Sequence, residues 1–213
     1  PAYQYNNDSS INHVIGGSLL QTISNEAFLN CQNLSSLNFT NCHSLQTISN
    51  LAFQDCLNLL SVDFTNCTSL LIIDPAVFRQ CYELSSVDFT NCSNLTTITE
   101  QAFQNCSALE SVNFTNCHKL QTIGNAVFRY CYKLSNVDFS GTSLNSIGIQ
   151  AFRGCVQLSS LNFTNCSSLT LSNIDTSAFQ GSNIIQIVNI TNSGLSGKSN
   201  SQLNNLFKQS TNK

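Results

Sequence analysis

The residues of this chain best able to do chemistry are its eleven cysteines, and they fall in two series. One runs Cys31, Cys56, Cys81, Cys106, Cys131, Cys155, and the other Cys42, Cys67, Cys92, Cys117, Cys166. A zinc site wants closely paired thiolates such as C-x2-C, and the chain has no such pair. A nucleophilic thiol needs a base beside it, yet His13, His43 and His118 are the only histidines. His43 and His118 each directly follow a cysteine, so their side chains are expected to face away from it. Disulfides between neighbouring cysteines of one series would fit the spacing of adjacent strands, about 4.8 Å. Parallel side chains in a ladder make poor disulfide geometry, however, and an odd count leaves one thiol unpaired. Thr142 and Ser182 stand where each series skips a member. Small and half-apolar is what these positions ask for, which predicts buried free thiols acting as compact core residues.

The elements that hold them repeat. Phe28, Phe53, Phe78, Phe103, Phe128, Phe152 and Phe179 are separated by steps of 25, 25, 25, 25, 24 and 27. Phe39, Phe64, Phe89, Phe114, Phe139, Phe163 and Ile190 take the same steps, so two registers move together along one copied unit. In Leu109-Glu-Ser-Val112-Asn-Phe114 the apolar residues Val112 and Phe114 alternate with polar ones, as in a short strand with one buried side. Around Ala102-Phe103-Gln-Asn-Cys106 the apolar spacings are one and three, which predicts a helical or 3-10 return. A single 25-residue unit buries too little apolar surface to offset the entropy of ordering it. Neighbouring coils must therefore stack over one continuous core, which is a solenoid.

The strand half, as in Leu34-Ser-Ser-Leu37-Asn-Phe39-Thr-Asn-Cys42, resembles the leucine-rich-repeat signature. The return half, Leu95-Thr-Thr-Ile98-Thr-Glu-Gln-Ala102-Phe103-Gln-Asn-Cys106, is similar to the BspA-like (Treponema pallidum-type) leucine-rich repeats. The likeness spans about residues 20–193, although FTNC stands where that class usually leaves its strand with Ile-Pro. It implies an α/β solenoid of about seven coils of 25 residues, with short parallel strands on a concave face and helical or 3-10 returns. It also implies a non-enzymatic role in adhesion or protein recognition, since such proteins are commonly surface or secreted molecules of bacteria and protists. Residues 1–19 are expected to form an N-terminal cap containing a degenerate strand at Ile11, Val14 and Ile15. Residues 194–213 are expected to form a C-terminal cap, with Leu203, Leu206 and Phe207 at helical spacing behind an N-cap at Ser199.

Two surfaces could bind a partner. If the apolar strand residues point inward, a column of Asn38, Asp63, Asp88, Asn113, Asp138 and Asn162 faces outward, between a column of serines and one of threonines. Such residues can cap backbone groups, or they can line a groove for a sugar or an extended peptide. The repeat is broken elsewhere, around the return, by Arg79, Tyr82, Arg129, Tyr130, Tyr132 and Arg153. Tyr and Arg are enriched at the energetic centres of protein interfaces, so this patch is the candidate protein contact.

Only 9% of residues are charged, against roughly 25% in typical soluble proteins. With a net charge of -3 the chain lacks the clustered Lys and Arg that a nucleic-acid partner requires. It has no apolar run long enough for a membrane span and no motif implying a cofactor. Low charge would permit self-association through the repeats, giving a structural protein as the alternative to a binding module. The N-terminus lacks signal-peptide features, and the absence of Met implies that at least a start residue has been removed. Four glycosylation sequons, at Asn38, Asn113, Asn162 and Asn189, would put glycans on the concave face, which argues against a glycosylating secretory route. Free thiols favour a cytoplasm, while the family resemblance favours the cell surface or secretion.

Overall fold

The computed structural model describes residues 5–182 and 187–207. Each coil contributes one three-residue strand. These are β1 (His13–Ile15), β3 (Ser36–Asn38), β5 (Ser61–Asp63), β7 (Ser86–Asp88), β9 (Ser111–Asn113), β11 (Asn136–Asp138), β13 (Ser160–Asn162) and β14 (Ile187–Asn189). Their pairing is parallel and in register, as in Leu37↔Val62 and Val62↔Val87. The middle residue of each strand from β3 to β13 is buried and its flanking residues are not, which is the period-two pattern the sequence predicts.

The two phenylalanine registers become two continuous stacks. From Phe28 to Phe179 successive rings lie 5.1 to 5.6 Å apart, and from Phe39 to Phe163 they lie 5.2 to 5.8 Å apart. Edge contacts such as Phe89 to Phe103, at 6.4 Å, join one stack to the other. A fixed coil length produces this arrangement: each ring meets its own kind one turn away, and the core is shared by all coils.

The return half differs in detail from a helix. It opens with a second parallel sheet of two-residue strands: β2 (Thr22–Ile23), β4 (Thr47–Ile48), β6 (Ile72–Ile73), β8 (Thr97–Ile98), β10 (Thr122–Ile123) and β12 (Ser146–Ile147). The β-branched Thr-Ile pairs suit that geometry. Bonds of the 3-10 type follow, for example from the Ala52 N–H to the Ser49 carbonyl at 3.2 Å and from Gln54 to Leu51 at 3.1 Å. They cannot propagate, because Leu51 (φ 59) and Asp55 (φ 61) are left-handed, and their counterparts in other coils are too. A chain of tight turns results, and among the described residues a 3-10 helix forms only at Leu171–Asn173. The turns form a third ladder between coils, as from Phe53 N–H to Val77 carbonyl at 2.9 Å.

At the C-terminal end α1 (Asn200–Phe207) follows Ser199, whose hydroxyl accepts from the Gln202 N–H at 3.3 Å while Gln202 Oε1 accepts from the Ser199 N–H at 3.0 Å. This is a reciprocal capping arrangement. It places Phe207 edge-on against Phe179, 5.1 Å between centroids. At the other end β1 and β2 are the outer strands of their sheets, and Ile15 (81% exposed) and Leu19 (87%) face solvent beside them.

The three-residue strands do not form one sheet. The order β1-β3-β5-β7-β9 ends at β9, and β11-β13-β14 is a separate sheet, while the two-residue sheet runs through the same region unbroken from β2 to β12.

Candidate recognition surfaces

The thiols are all free and buried. From the second member of each series onward, every one donates to the phenylalanine carbonyl of the preceding coil. Examples are Cys56 to Phe28 at 3.2 Å, Cys92 to Phe64 at 3.2 Å and Cys155 to Phe128 at 3.0 Å. Burial pushes the Cys67 and Cys117 thiols up to about 12, and the others also rise, so the thiolate needed for nucleophilic work is suppressed. The histidines are engaged with oxygens: His43 Nδ1 with the Asn66 carbonyl at 2.9 Å, His118 Nδ1 with the Gly141 carbonyl at 3.2 Å, and His13 Nδ1 with Ser36 Oγ at 2.7 Å. Among the described residues, no group of three or more His, Cys, Asp or Glu could hold a metal ion. Ser182 keeps the thiol pattern with a hydroxyl, donating to Phe152 at 2.6 Å. These positions therefore require a small side chain that is also a donor, and size alone was the part visible in the sequence.

The polar column of the strand face has a structural task at every coil. Side-chain Oδ1 atoms of Asn38, Asp63, Asp88, Asn113, Asp138 and Asn162 each accept from the backbone N–H two residues on, at 2.7 to 3.0 Å. This closes the turn that leads out of the strand. The next position is left-handed, and Asn fills it at 41, 66, 91, 116 and 165, with Gly141 in the sixth coil. Those asparagines form an amide ladder: Asn66 donates to Asn41 at 2.8 Å, Asn91 to Asn66 at 2.7 Å and Asn116 to Asn91 at 2.8 Å. Asn38, Asn113 and Asp138 remain exposed, whereas Asp63, Asp88 and Asn162 are half-buried.

The Arg and Tyr positions lie along the return edge. Four of them gather into one cluster. The Arg129 guanidinium sits 4.7 Å above the Tyr130 ring, and its Nη2 donates to the Tyr130 hydroxyl at 3.0 Å. Tyr132 is 5.9 Å from Tyr130 between centroids, and Arg153 adds a second positive field at the phenol. The Arg129 hydrogen bond is the largest of these influences, and it lowers the Tyr130 hydroxyl from its usual range. Gly154, at φ +73, lets Tyr130 lie flat across the next coil; a Cβ there would stand 2.7 Å from the ring. Arg79 and Tyr82 lie two coils earlier, and Gln80 donates to the Tyr82 hydroxyl at 2.9 Å. Tyr82 (39% exposed), Tyr132 (47%) and Val156 (40%) share one column and turn toward solvent together. Val156 was not apparent from sequence, because a valine in a solenoid is read as core until its column is known.

No helix among the described residues is long and apolar enough to cross a membrane. Comparison with proteins of known structure finds the Treponema pallidum leucine-rich repeat protein at 21% identity and a TM-score of 0.50, covering 84% of this chain and 73% of that one. A leucine-rich repeat protein from Bacteroides ovatus matches at 19% identity and a TM-score of 0.39, over 94% of this chain and 65% of that one. A leucine-rich cell surface protein from Faecalibacterium prausnitzii matches at 16% identity and a TM-score of 0.36, over 98% of this chain and 65% of that one. The chain thus spans just under two thirds of the length of the latter two. No curated protein sequence matches. The model of the BspA type leucine rich repeat region, in six copies, matches residues 1–134 and 73–212. Those overlapping matches take in almost the whole sequence, and the chain belongs to the BspA-type leucine-rich repeat family.

Proposed function

We propose that this chain is a non-enzymatic recognition module that docks a protein partner on the return edge, at the cell surface or after secretion. The observation that carries the proposal is the cluster of Arg129, Tyr130, Tyr132 and Arg153, extended along the same edge by Val156 and Tyr82. Elsewhere the surface is chiefly Ser, Thr, Asn and Gln. Here aromatic rings are half-exposed, the Tyr82 and Tyr130 hydroxyls are already hydrogen-bonded and Tyr130 lies against Gly154, so less side-chain entropy is lost on docking. The chemistry suits a protein with a carboxylate or carbonyl opposite Arg153 and an apolar groove for the tyrosines.

The test is capture of partner proteins from candidate host surface material by the immobilised chain, compared with a variant in which Tyr82, Tyr130 and Tyr132 are Ala. Loss of capture with an unchanged melting temperature is the expected result. Retained capture would sink the proposal. A second reading is self-association through the end of the solenoid, favoured by Ile15 and Leu19 standing exposed beside the outer strands β1 and β2. Light scattering across a concentration series distinguishes the two, because only self-association raises the apparent mass with concentration.

A further inference from the structure

The fifth and sixth coils part company on the strand face. In every earlier pair the residue after the strand donates across: Phe64 N–H to the Asp88 carbonyl at 2.8 Å and Phe89 to Asn113 at 2.9 Å; Asn66 to Thr90 and Asn91 to Thr115 follow, each at 2.9 Å. Among the described residues no such bond leaves the Phe114 or Asn116 N–H, and none reaches the Asp138 or Ser140 carbonyl. At the strand entry the bond from Ser135 N–H to the Glu110 carbonyl has stretched to 3.5 Å, against 2.9 Å for Glu110 to Ser85. The amide ladder stops at the same place, because Gly141 has no side chain to donate to Asn116. The donor ladder stops too, because Thr142 gives its hydroxyl to Phe139 in its own coil, at 2.7 Å, where a cysteine would reach back to Phe114.

The cause is legible in the sequence. Coil six reads Phe139-Ser-Gly-Thr-Ser-Leu144, one residue shorter than Phe114-Thr-Asn-Cys-His-Lys-Leu120. The shortened turn cannot keep both sides in register. The two-residue sheet holds, with Thr122 paired to Ser146, and Phe114 still stacks on Phe139 at 5.4 Å. Their planes are 16° apart, against 3° for Phe89 and Phe114. The coils therefore pivot about the core and open on one face only, leaving a cleft of about 420 Å³. That volume lies in the range of small-ligand sites, roughly 300–1,000 Å³.

We propose that this cleft binds carbohydrate, through the backbone groups that the missing residue leaves unpaired. Two N–H donors, at Phe114 and Asn116, face two carbonyl acceptors, at Asp138 and Ser140, and the polar side chains of Asn113 and Asn162 also line the cleft. A row of sugar hydroxyls, each both donor and acceptor, matches such a mixed set. Other classes fit worse. An anion would meet the Asp138 carboxylate with only His118 in compensation. A wholly apolar ligand would leave the polar half of the lining unpaired, and it would gain almost nothing from Phe114 and Val112, which are 2% and 6% exposed. An inserted peptide strand would need about twice the 4.8 Å strand spacing, and the stacked rings of Phe114 and Phe139 forbid it.

The experiment is a titration of the ¹⁵N-labelled chain with maltotriose, cellotriose and tri-N-acetylchitotriose, read from backbone amide shifts. Saturable shifts at Phe114, Asn116 and Gly141 with at least one sugar, and none at the paired counterparts Phe89 and Asn91, are expected. Gly141→Asn supplies the missing amide at a left-handed position with nothing within 4 Å of its Cβ, so it should fill the cleft, keep the fold and weaken sugar binding at least tenfold. Tyr132→Ala should leave the sugar shifts unchanged, which separates this site from the protein-docking edge. Absence of shifts with all three sugars at 20 mM, or equal binding by Gly141→Asn, overturns the proposal.

Discussion

The Cys106 thiol lies 3.1 Å from the carbonyl oxygen of Phe78, one coil back, and donates to it from a fully buried position. A ladder of such contacts ties each coil to the one before it, independently of the strand hydrogen bonds. The Phe78 carbonyl also accepts the Cys81 N–H at 3.2 Å, so removing the thiol does not leave it without a partner. Cys106→Ala is therefore expected to cost about 1–2 kcal/mol, from lost packing and one hydrogen bond. Cys106→Ser should cost less, because a hydroxyl can make the bond that Ser182 makes to Phe152. Urea unfolding of the two variants checks the order; a serine variant less stable than the alanine one would show that desolvating the hydroxyl outweighs the bond it makes.

The same burial sets an alkaline limit. Folded thiols such as Cys67 and Cys117 titrate near 12, while an unfolded thiol titrates near 8.5. Their folded pKa is raised, so the stability they contribute is complete below about pH 8.5 and falls as pH climbs toward 12, where the unfolded chain has lost protons the folded chain retains. Each buried thiol removes up to about 1.4 kcal/mol per pH unit in that window. Thermal melting followed from pH 7 to 10.5 should show a steep drop beginning near pH 9. Replacing Cys67, Cys92 and Cys117 together by Ser should move that drop to higher pH.

Much of the fold was legible because the signal is a period. Two phenylalanine series stepping together require stacked coils whatever the local geometry, and Val62, Val87 and Val112 announce their strands by alternation. The second sheet was hidden because Thr97-Ile98 is too short to show a period. The turns of the return were hidden because Leu51, Ala76, Gln101 and Tyr130 are not residue types that mark a left-handed backbone. The candidate edge was visible as a break in the pattern at Tyr82, Tyr130 and Tyr132, but its assembly was not: that Arg129 lies over Tyr130 depends on Gly154 in the next coil. The cleft was written as a single missing residue between Phe139 and Leu144, and its consequence depends on which of three ladders yields.

Left-handed positions give a stabilisation test. Gln101 has φ 60, and its N–H donates to the Asn125 carbonyl at 2.8 Å. An L-residue there bears about 1–2 kcal/mol of strain, and Gly would relieve it at an entropic cost of about 0.5–1 kcal/mol. Gln101→Gly should thus gain about 0.5–1 kcal/mol and raise Tm by roughly 1–4 °C. Gly154→Ala should act in the opposite direction, since it adds strain at φ +73 and drives a methyl into the Tyr130 ring. Differential scanning calorimetry of the two variants reads both signs.

The last coil sets how firmly the C-terminal helix must hold. Phe179 is 1% exposed, and the residue standing over its ring is Phe207 of α1, itself 4% exposed, with Leu206 beside it at 7%. A solenoid's terminal coil has no successor to cover it, so the apolar face of that coil depends on whatever lies across it. Phe207→Ala should cost about 3 kcal/mol if α1 acts as this cover. Because coils unfold with their neighbours, the loss should appear first at the C-terminal end. Hydrogen exchange should then accelerate at the amides of Phe163 and Cys166, which bond within and next to the last coils, before it does at Phe64 and Cys67. Uniform acceleration along the chain would mean that the solenoid unfolds as one unit and that α1 stabilises all of it equally.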